Sequence, residues 1–281
     1  MRLATGIVAG KLGLLLVDGD RLRPVRSLTP AEFYSEPHKH LDRVEALAEE
    51  AAARLGEAKL LPPVPRPGKI VGVGRNYASH AREMGGEPPR EPELFLKAPS
   101  ALTGHMEPIV VPPYVEKPDY EGEIVLVVGR RLRQASPAEA AEAILGYTAG
   151  NDVTARDFQF DLKRPWSLAK SLDTFAPLGP YVEIIDDPSR LEDLCLETRL
   201  NGEKMQQGCV QDMTLSPAKL LAYISRYMTL HPGDLIYTGT PPGVGHARKP
   251  PRYLQHGDLI EVRITGLDPL RNPVVRMGNP W

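Results

Sequence analysis

The stretch DYEGEIVLVVG, residues 119–129, places Asp119, Glu121 and Glu123 at alternate positions before an apolar run, Ile124 to Val128. Residues two apart on a strand point to one face. Carboxylates crowded in this way repel and raise one another's pKa, so something positive must offset them. The ordinary fate of three acids is a solvated edge with surface salt bridges. Here the run that follows is β-branched and reads as a buried strand. A divalent cation is the sharper reading, and Asp152 in GNDVTARD, at the end of another strand, is the candidate further ligand. A donor set made only of carboxylates points to a hard ion, Mg²⁺ or Mn²⁺ with Ca²⁺ as a further option, rather than to zinc.

Other residues have types suited to the remaining chemistry. His80 and Glu83 in ASHAREMG are three apart and share a helix face, so Glu83 can orient His80 as a general base. An exposed helix turn with an incidental pair is the plain alternative. Lys170 in WSLAKSLD lies between Trp166 and Phe175 in an apolar setting, where an ammonium can bind a carboxylate or stabilise an oxyanion. TGTPPGVG, residues 238–245, lacks the GK[ST] of a phosphate loop. Thr240 and nearby backbone N–H groups can instead hold a substrate carboxylate, or the segment is a plain turn. Arg75 and Asn76 read as braces of the fold. His105, His231, His246 and His256 lie in loops and receive no role.

The elements that must position these residues are mostly strands. IVLVVG, GYTAGNDVT, GPYVEI, LETRLNGEKM, DLIYTG and DLIEVRITG all carry strand composition between turn residues. YASHAREMG, SPAEAAEAIL and SPAKLLAYISRYM read as helices, the last two with Ser as N-cap and Pro at the first helical position. There is no regular alternation of strand and helix, so a mainly-β (α+β) catalytic region is expected over a doubly wound sheet. Ahead of it, LGLLLVDGDRLRPV reads as a hairpin, and HKHLDRVEALAEEAAARLGEAKLL, rich in Ala, Leu and Glu, as a helix. The proline-dense LPPVPRPGK marks a boundary, giving a small N-terminal α/β domain over residues 1–66 and a catalytic domain over 67–281.

Composition narrows the function classes. The net charge is −2 and no basic run stands out, so neither nucleic acid nor an anionic membrane surface is an expected partner. The apolar stretch Leu12 to Val17 is too short to span a bilayer and reads as a strand. Cys195 and Cys209 are the only cysteines, too few for a disulfide framework, and a reducing, cytoplasmic setting is expected.

Seven segments, in order, resemble the fumarylacetoacetate hydrolase family: GVGRNYASHAREMG, LFLKAPSAL, DYEGEIVLVVG, GYTAGNDVTARDFQ, WSLAKSLDTFAPLGP, NGEKMQQG and MTLHPGDLIYTGTPPGVG. The resemblance covers roughly residues 69 to 281, and the tail is similar to a bacterial branch that includes diketo-deoxy-sugar-acid hydrolases and proteins labelled ureidoglycolate lyase. It implies a mixed β-sandwich roll, a homodimer, and Mg²⁺ or Mn²⁺ held by Glu121, Glu123 and Asp152, with Asp119 in a supporting place. It implies His80 and Glu83 as the catalytic pair on a segment that can act as a lid, Lys170 as the cation beside the substrate, and Gln159 and Thr240 as substrate contacts. Ser79 stands where the family often has Asp. The activity implied is metal-dependent cleavage of a C–C bond in a small 2-oxo or diketo acid. Oxaloacetate decarboxylation and isomerisation of hydroxyhepta-dienedioate are alternatives on the same site, and a non-catalytic binding protein on this fold is a further one.

Overall fold

The computed structural model describes residues 1–161 and 163–278. Leu162 and the last three residues of the expected catalytic domain lie outside the described residues. The architecture is mainly β with few helices, as expected. A 12-stranded sheet has the strand Gly122–Val128 near its middle. On one side it pairs antiparallel with Ile144–Asn151, which pairs in turn with Ala176–Ile184. On the other side come Leu235–Tyr237, then Ile70–Gly74 in parallel, then Glu93–Lys97. Arg2–Val8 pairs with Ala176–Ile184, so the N-terminal strands extend the same sheet. A 5-stranded sheet holds Glu203–Cys209, Cys195–Leu200, Leu259–Ile264, Leu270–Arg276 and Ile109–Val111.

The central strand is apolar from Ile124 to Val128 because both its faces are covered. Ile124, Leu126 and Val128 enter a core with Leu196, Val262 and Ile264 of the smaller sheet and with Leu220, Leu221 and Ile224 of the helix Pro217–Tyr227. Val125 and Val127 enter a different core, with Leu14, Leu16 and Phe33 from the N-terminal region. Each such side chain contributes roughly 1.5–3 kcal/mol on burial. The alternation also sorts the polar end of the strand. Glu123 has the parity of Val125 and Val127, whereas Gly122 faces the smaller sheet. A Cβ at Gly122 would lie 2.0 Å from Thr198 Oγ1, so only glycine permits that approach.

The helix at Pro137–Glu142 begins as read, with Ser136 forming a capping box with Glu139. The long N-terminal helix does not form. Pro30–Ser35, Pro37–His40 and Val44–Leu47 are short helices, and Ala53–Arg54 and Lys59–Leu61 are strands. Helix propensity is a weak prior. Here it loses to ladder pairing of Ala53 with Leu22 and to burial of Leu60 in a core with Leu15. The cysteines also depart from the reading, because Cys195 and Cys209 form a disulfide across neighbouring strands. No helix among the described residues is long and apolar enough to cross a membrane.

Candidate active site

Register brings the acidic residues together. Gly122 pairs with Asn151, and the next residue, Asp152, donates its N–H to the Glu121 carbonyl at 2.8 Å. Asn151 Oδ1 accepts the Glu121 N–H at 2.9 Å. Glu121, Glu123 and Asp152 are buried, each offering a carboxylate oxygen within 4.8 Å of the others.

Three buried cations surround this cluster. Lys170, at the end of the helix Trp166–Lys170, donates at 2.6 Å to Glu121 Oε2 and at 2.6 Å to Asp152 Oδ2. Lys97 projects inward from Glu93–Lys97 and donates to Asp152 Oδ1 and to the Lys170 carbonyl. Arg156 opens the short helix Arg156–Gln159 and reaches Asp119 Oδ2 at 2.9 Å, Glu121 Oε1 at 2.7 Å and Gln159 Oε1 at 2.7 Å. Asp119 is absorbed by this arginine and by the N–H groups of Gly245 and His246 at 2.8 and 3.0 Å, so it braces the loop after Thr240 rather than joining the cluster.

The electrostatics separate the two glutamates. Burial opposes ionisation of Glu121, but Lys170 and Arg156 overcome it and hold the carboxyl well below the usual range. Burial, then Asp152, then Glu121 push Glu123 well above that range. Its Oε2 accepts the Gly239 N–H at 2.7 Å, its one hydrogen bond among the described residues. Burial pulls Lys97 down. Burial also opposes the charge on Lys170, but Asp152 and Glu121 outweigh it and raise its pKa. With Asp119, four buried carboxylates face three cations. A buried carboxylate whose ionisation is opposed by burial and by two neighbouring carboxylates is the group a divalent ion would relieve, and an all-oxygen donor set suits a hard ion. The residues therefore fit the metal that the spacing suggested, with Glu121, Glu123 and Asp152 as its candidate holders.

A cavity of ≈ 210 Å³ opens over the cluster, lined by Glu121, Glu123, Lys170, Gln159, Thr240 and His80 among others. Asp152 and Glu83 are not among its lining residues. His80 belongs to the helix Ala78–Glu83, is buried, and has Nδ1 3.3 Å from Glu83 Oε2. Gly243 N–H donates to both Glu83 oxygens, at 2.8 and 3.0 Å. The pairing across one helix turn leaves the other ring nitrogen for the cavity. Thr240 is more constrained than the sequence suggested. Its hydroxyl donates to the Gly122 carbonyl at 2.9 Å and accepts from Gln206 Nε2 at 2.7 Å, so its one proton is committed within the fold. What Thr240 retains for a ligand is its backbone N–H, which has no partner among the described residues.

Sequence reasoning missed Lys97, Arg156 and Gln206. Lys97 left a signal: in ELFLK it shares the parity of Phe95, the inward side of an edge strand. Arg75, read as a brace, is tied to Glu93 through Nε at 3.1 Å and also lines the cavity.

Known proteins are similar to this chain in sequence and in fold. Residues 69–275 match the family described as fumarylacetoacetate (FAA) hydrolase C-terminal. The bovine (Bos taurus) mitochondrial oxaloacetate tautomerase FAHD2A is 38% identical over 266 residues, covering 92% of this chain and 84% of that protein. The structure of a fumarylacetoacetate hydrolase from psychrophilic Exiguobacterium antarcticum is similar with a TM-score of 0.85 and 34% identity, over 99% of this chain and 100% of that one. That of a 5-carboxymethyl-2-hydroxymuconate delta-isomerase from Mycobacterium smegmatis is similar with a TM-score of 0.80 and 34% identity, over 99% and 100%. With the family match spanning most of its length, this chain belongs to the fumarylacetoacetate hydrolase family of enzymes.

Proposed function

We propose that this protein moves a proton on the carbon next to the keto group of a small 2-oxo acid, as a tautomerase or isomerase that depends on Mg²⁺ or Mn²⁺. The observation that carries the proposal is one cavity lined by both a buried carboxylate cluster and a histidine backed by a carboxylate. The likeness to a tautomerase and to an isomerase supports it.

A divalent ion held by Glu121, Glu123 and Asp152 would supply Lewis-acid polarisation of the keto oxygen. The protein's own groups do the rest. His80 takes the proton from carbon through the nitrogen turned away from Glu83, and Glu83 stabilises the imidazolium that results. Lys170 and the Thr240 N–H face the developing oxyanion and the substrate carboxylate. Gln159, fixed by Arg156, borders the same space. The proton returns from His80 to oxygen in a tautomerase, or to a more distant carbon in an isomerase.

A second reading, hydrolysis of a C–C bond in a diketo acid, uses the same pair to take a proton from water. The family match and the likeness to the Exiguobacterium hydrolase favour it. We expect a homodimer, which light scattering tests; the Cys195–Cys209 disulfide removes the ground on which a reducing cytoplasm was expected. The chemistry is tested by stripping metal with chelator, restoring Mn²⁺, and following oxaloacetate, a hydroxymuconate-type dienol and an acylpyruvate side by side. Metal-restored ultraviolet change with no new acid supports proton movement. Two acids released from the acylpyruvate alone would move the assignment to hydrolysis, and a metal-stripped protein of full activity would overturn both.

A further inference from the structure

We infer that Gln206, which does not line the cavity, is a positioning residue that sets the spacing of the two metal-holding glutamates. Glu121 and Glu123 are separated by Gly122 alone. Gly122 has a single N–H and a single carbonyl, and both are bound by one side-chain relay. Gln206 Oε1 accepts the Gly122 N–H at 3.0 Å. Gln206 Nε2 donates to Thr240 Oγ1 at 2.7 Å and to the Pro241 carbonyl at 2.8 Å. Thr240 Oγ1 completes the ring by donating to the Gly122 carbonyl at 2.9 Å.

The amide can sit only one way round. Turned over, its NH₂ would face the Gly122 N–H and its oxygen would face the Pro241 carbonyl, losing both of those bonds, and Thr240 could donate to it only by releasing the Gly122 carbonyl. Gln206 is 1% exposed, so each lost bond would leave a buried polar group unsatisfied.

The position of Gln206 comes from an irregularity in its own hairpin. Arg199 pairs with Lys204, but Thr198 pairs with Gln206, so Met205 is an extra residue in the strand. The bulge turns Met205 and Gln206 inward in succession and brings Gln206 opposite Thr198, beside Gly122. The smaller sheet thereby grips the peptide between the two glutamates, and the same relay carries Thr240, whose N–H remains for substrate.

The inference rests on the metal reading above, and its test separates the two. Mn²⁺ binding is titrated by calorimetry for the parent, Gln206→Met, Thr240→Val and the double variant, with the melting temperature of each recorded. Residues that orient metal ligands from behind typically cost 10–100-fold in affinity when changed. Each single variant is expected to weaken Mn²⁺ binding by roughly that factor, and the double variant to be no worse than the poorer single. Unchanged affinity in folded Gln206→Met overturns the relay, as do losses that add in the double variant. Should Gln206→Met fail to fold, Thr240→Val carries the test alone, with unchanged affinity again overturning it. A parent that binds no Mn²⁺ overturns the metal reading instead.

Discussion

The carboxylate cluster and the His80–Glu83 helix line one cavity, yet they are held in opposite ways. Glu121, Glu123 and Asp152 sit at the ends of two central strands, wholly buried, with Lys97, Lys170 and Arg156 packed against them. Their positions follow from strand register, and charge holds them. The helix Ala78–Glu83 has six residues and no side-chain cap at its start. It is fastened at its root, where Asn76 Oδ1 accepts the Leu215 N–H at 2.9 Å, and at its tip, where Glu83 meets Gly243. Each kind of anchoring suits a different task. Holding an ion demands rigid, costly burial of charge, whereas proton transfer demands one imidazole held within reach of the substrate.

Glu123 carries the largest expected effect. Glu123→Gln should abolish tight Mn²⁺ binding and lower kcat/KM by roughly 10³-fold or more, because polarisation of the keto oxygen is worth several kcal/mol. The same change removes one of three mutually repelling carboxylates that holds a single hydrogen bond. The metal-free variant should therefore melt no lower than the metal-free parent. A large drop in its melting temperature would mean that Glu123 serves the fold rather than the ion.

Lys170→Met probes the same cluster from the opposite charge. It leaves Glu121 and Asp152 short of the ammonium that both now share at 2.6 Å. Breaking a buried pair in this way costs about 3–5 kcal/mol, and the loss should appear in denaturant unfolding of the metal-free protein. Added Mn²⁺ should recover part of it, since an ion can supply the missing charge. Equal stability of variant and parent would remove Lys170 from the electrostatic account.

The helix should answer differently. His80→Gln is expected to lower kcat by about 10²–10⁴-fold, with Mn²⁺ affinity and melting temperature close to those of the parent. Weakened Mn²⁺ binding in this variant would place His80 among the ligands and erase the contrast between the two regions.

How much of this was legible in the sequence depends on how local each cause is. Glu121 and Glu123 were readable because acids two residues apart, running straight into a β-branched strand, crowd one face at a buried end and call for a cation. Asp152 was readable because it ends a second strand. Lys97 was visible in principle, through its parity in ELFLK. Arg156 was not, since its partners Asp119 and Glu121 lie 37 and 35 residues away and only the folded register joins them. The N-terminal segment was misread because Ala, Leu and Glu favour a helix when nothing else acts, and here strand pairing acted. Thr240 lines the cavity, but the commitment of its hydroxyl to Gly122 belongs to tertiary structure alone.

The disulfide should give the smallest effect, and it shows how one irregularity serves two ends. LETRLNGEKM was read as one strand, but it turns at Asn201–Gly202 between two, and a regular hairpin from that turn would set Cys195 opposite Gly208. The extra residue at Met205 moves the pairing to Cys209, so the bulge that aims Gln206 also aligns the cysteines. Cross-linking a loop of this length contributes at most about 3 kcal/mol through the unfolded chain, and less where a tight turn already closes the hairpin. Cys195→Ser with Cys209→Ser should thus lower the melting temperature by a few degrees, roughly 2–4 °C per kcal/mol for a chain of this size. Mn²⁺ affinity and kcat should remain at parent values, because Gln206 keeps its register through the ladder on both sides of the bulge. A double serine variant that instead lost Mn²⁺ affinity as Gln206→Met is expected to would make the disulfide part of the grip on Gly122, and the metal site would then be sensitive to thiol reduction.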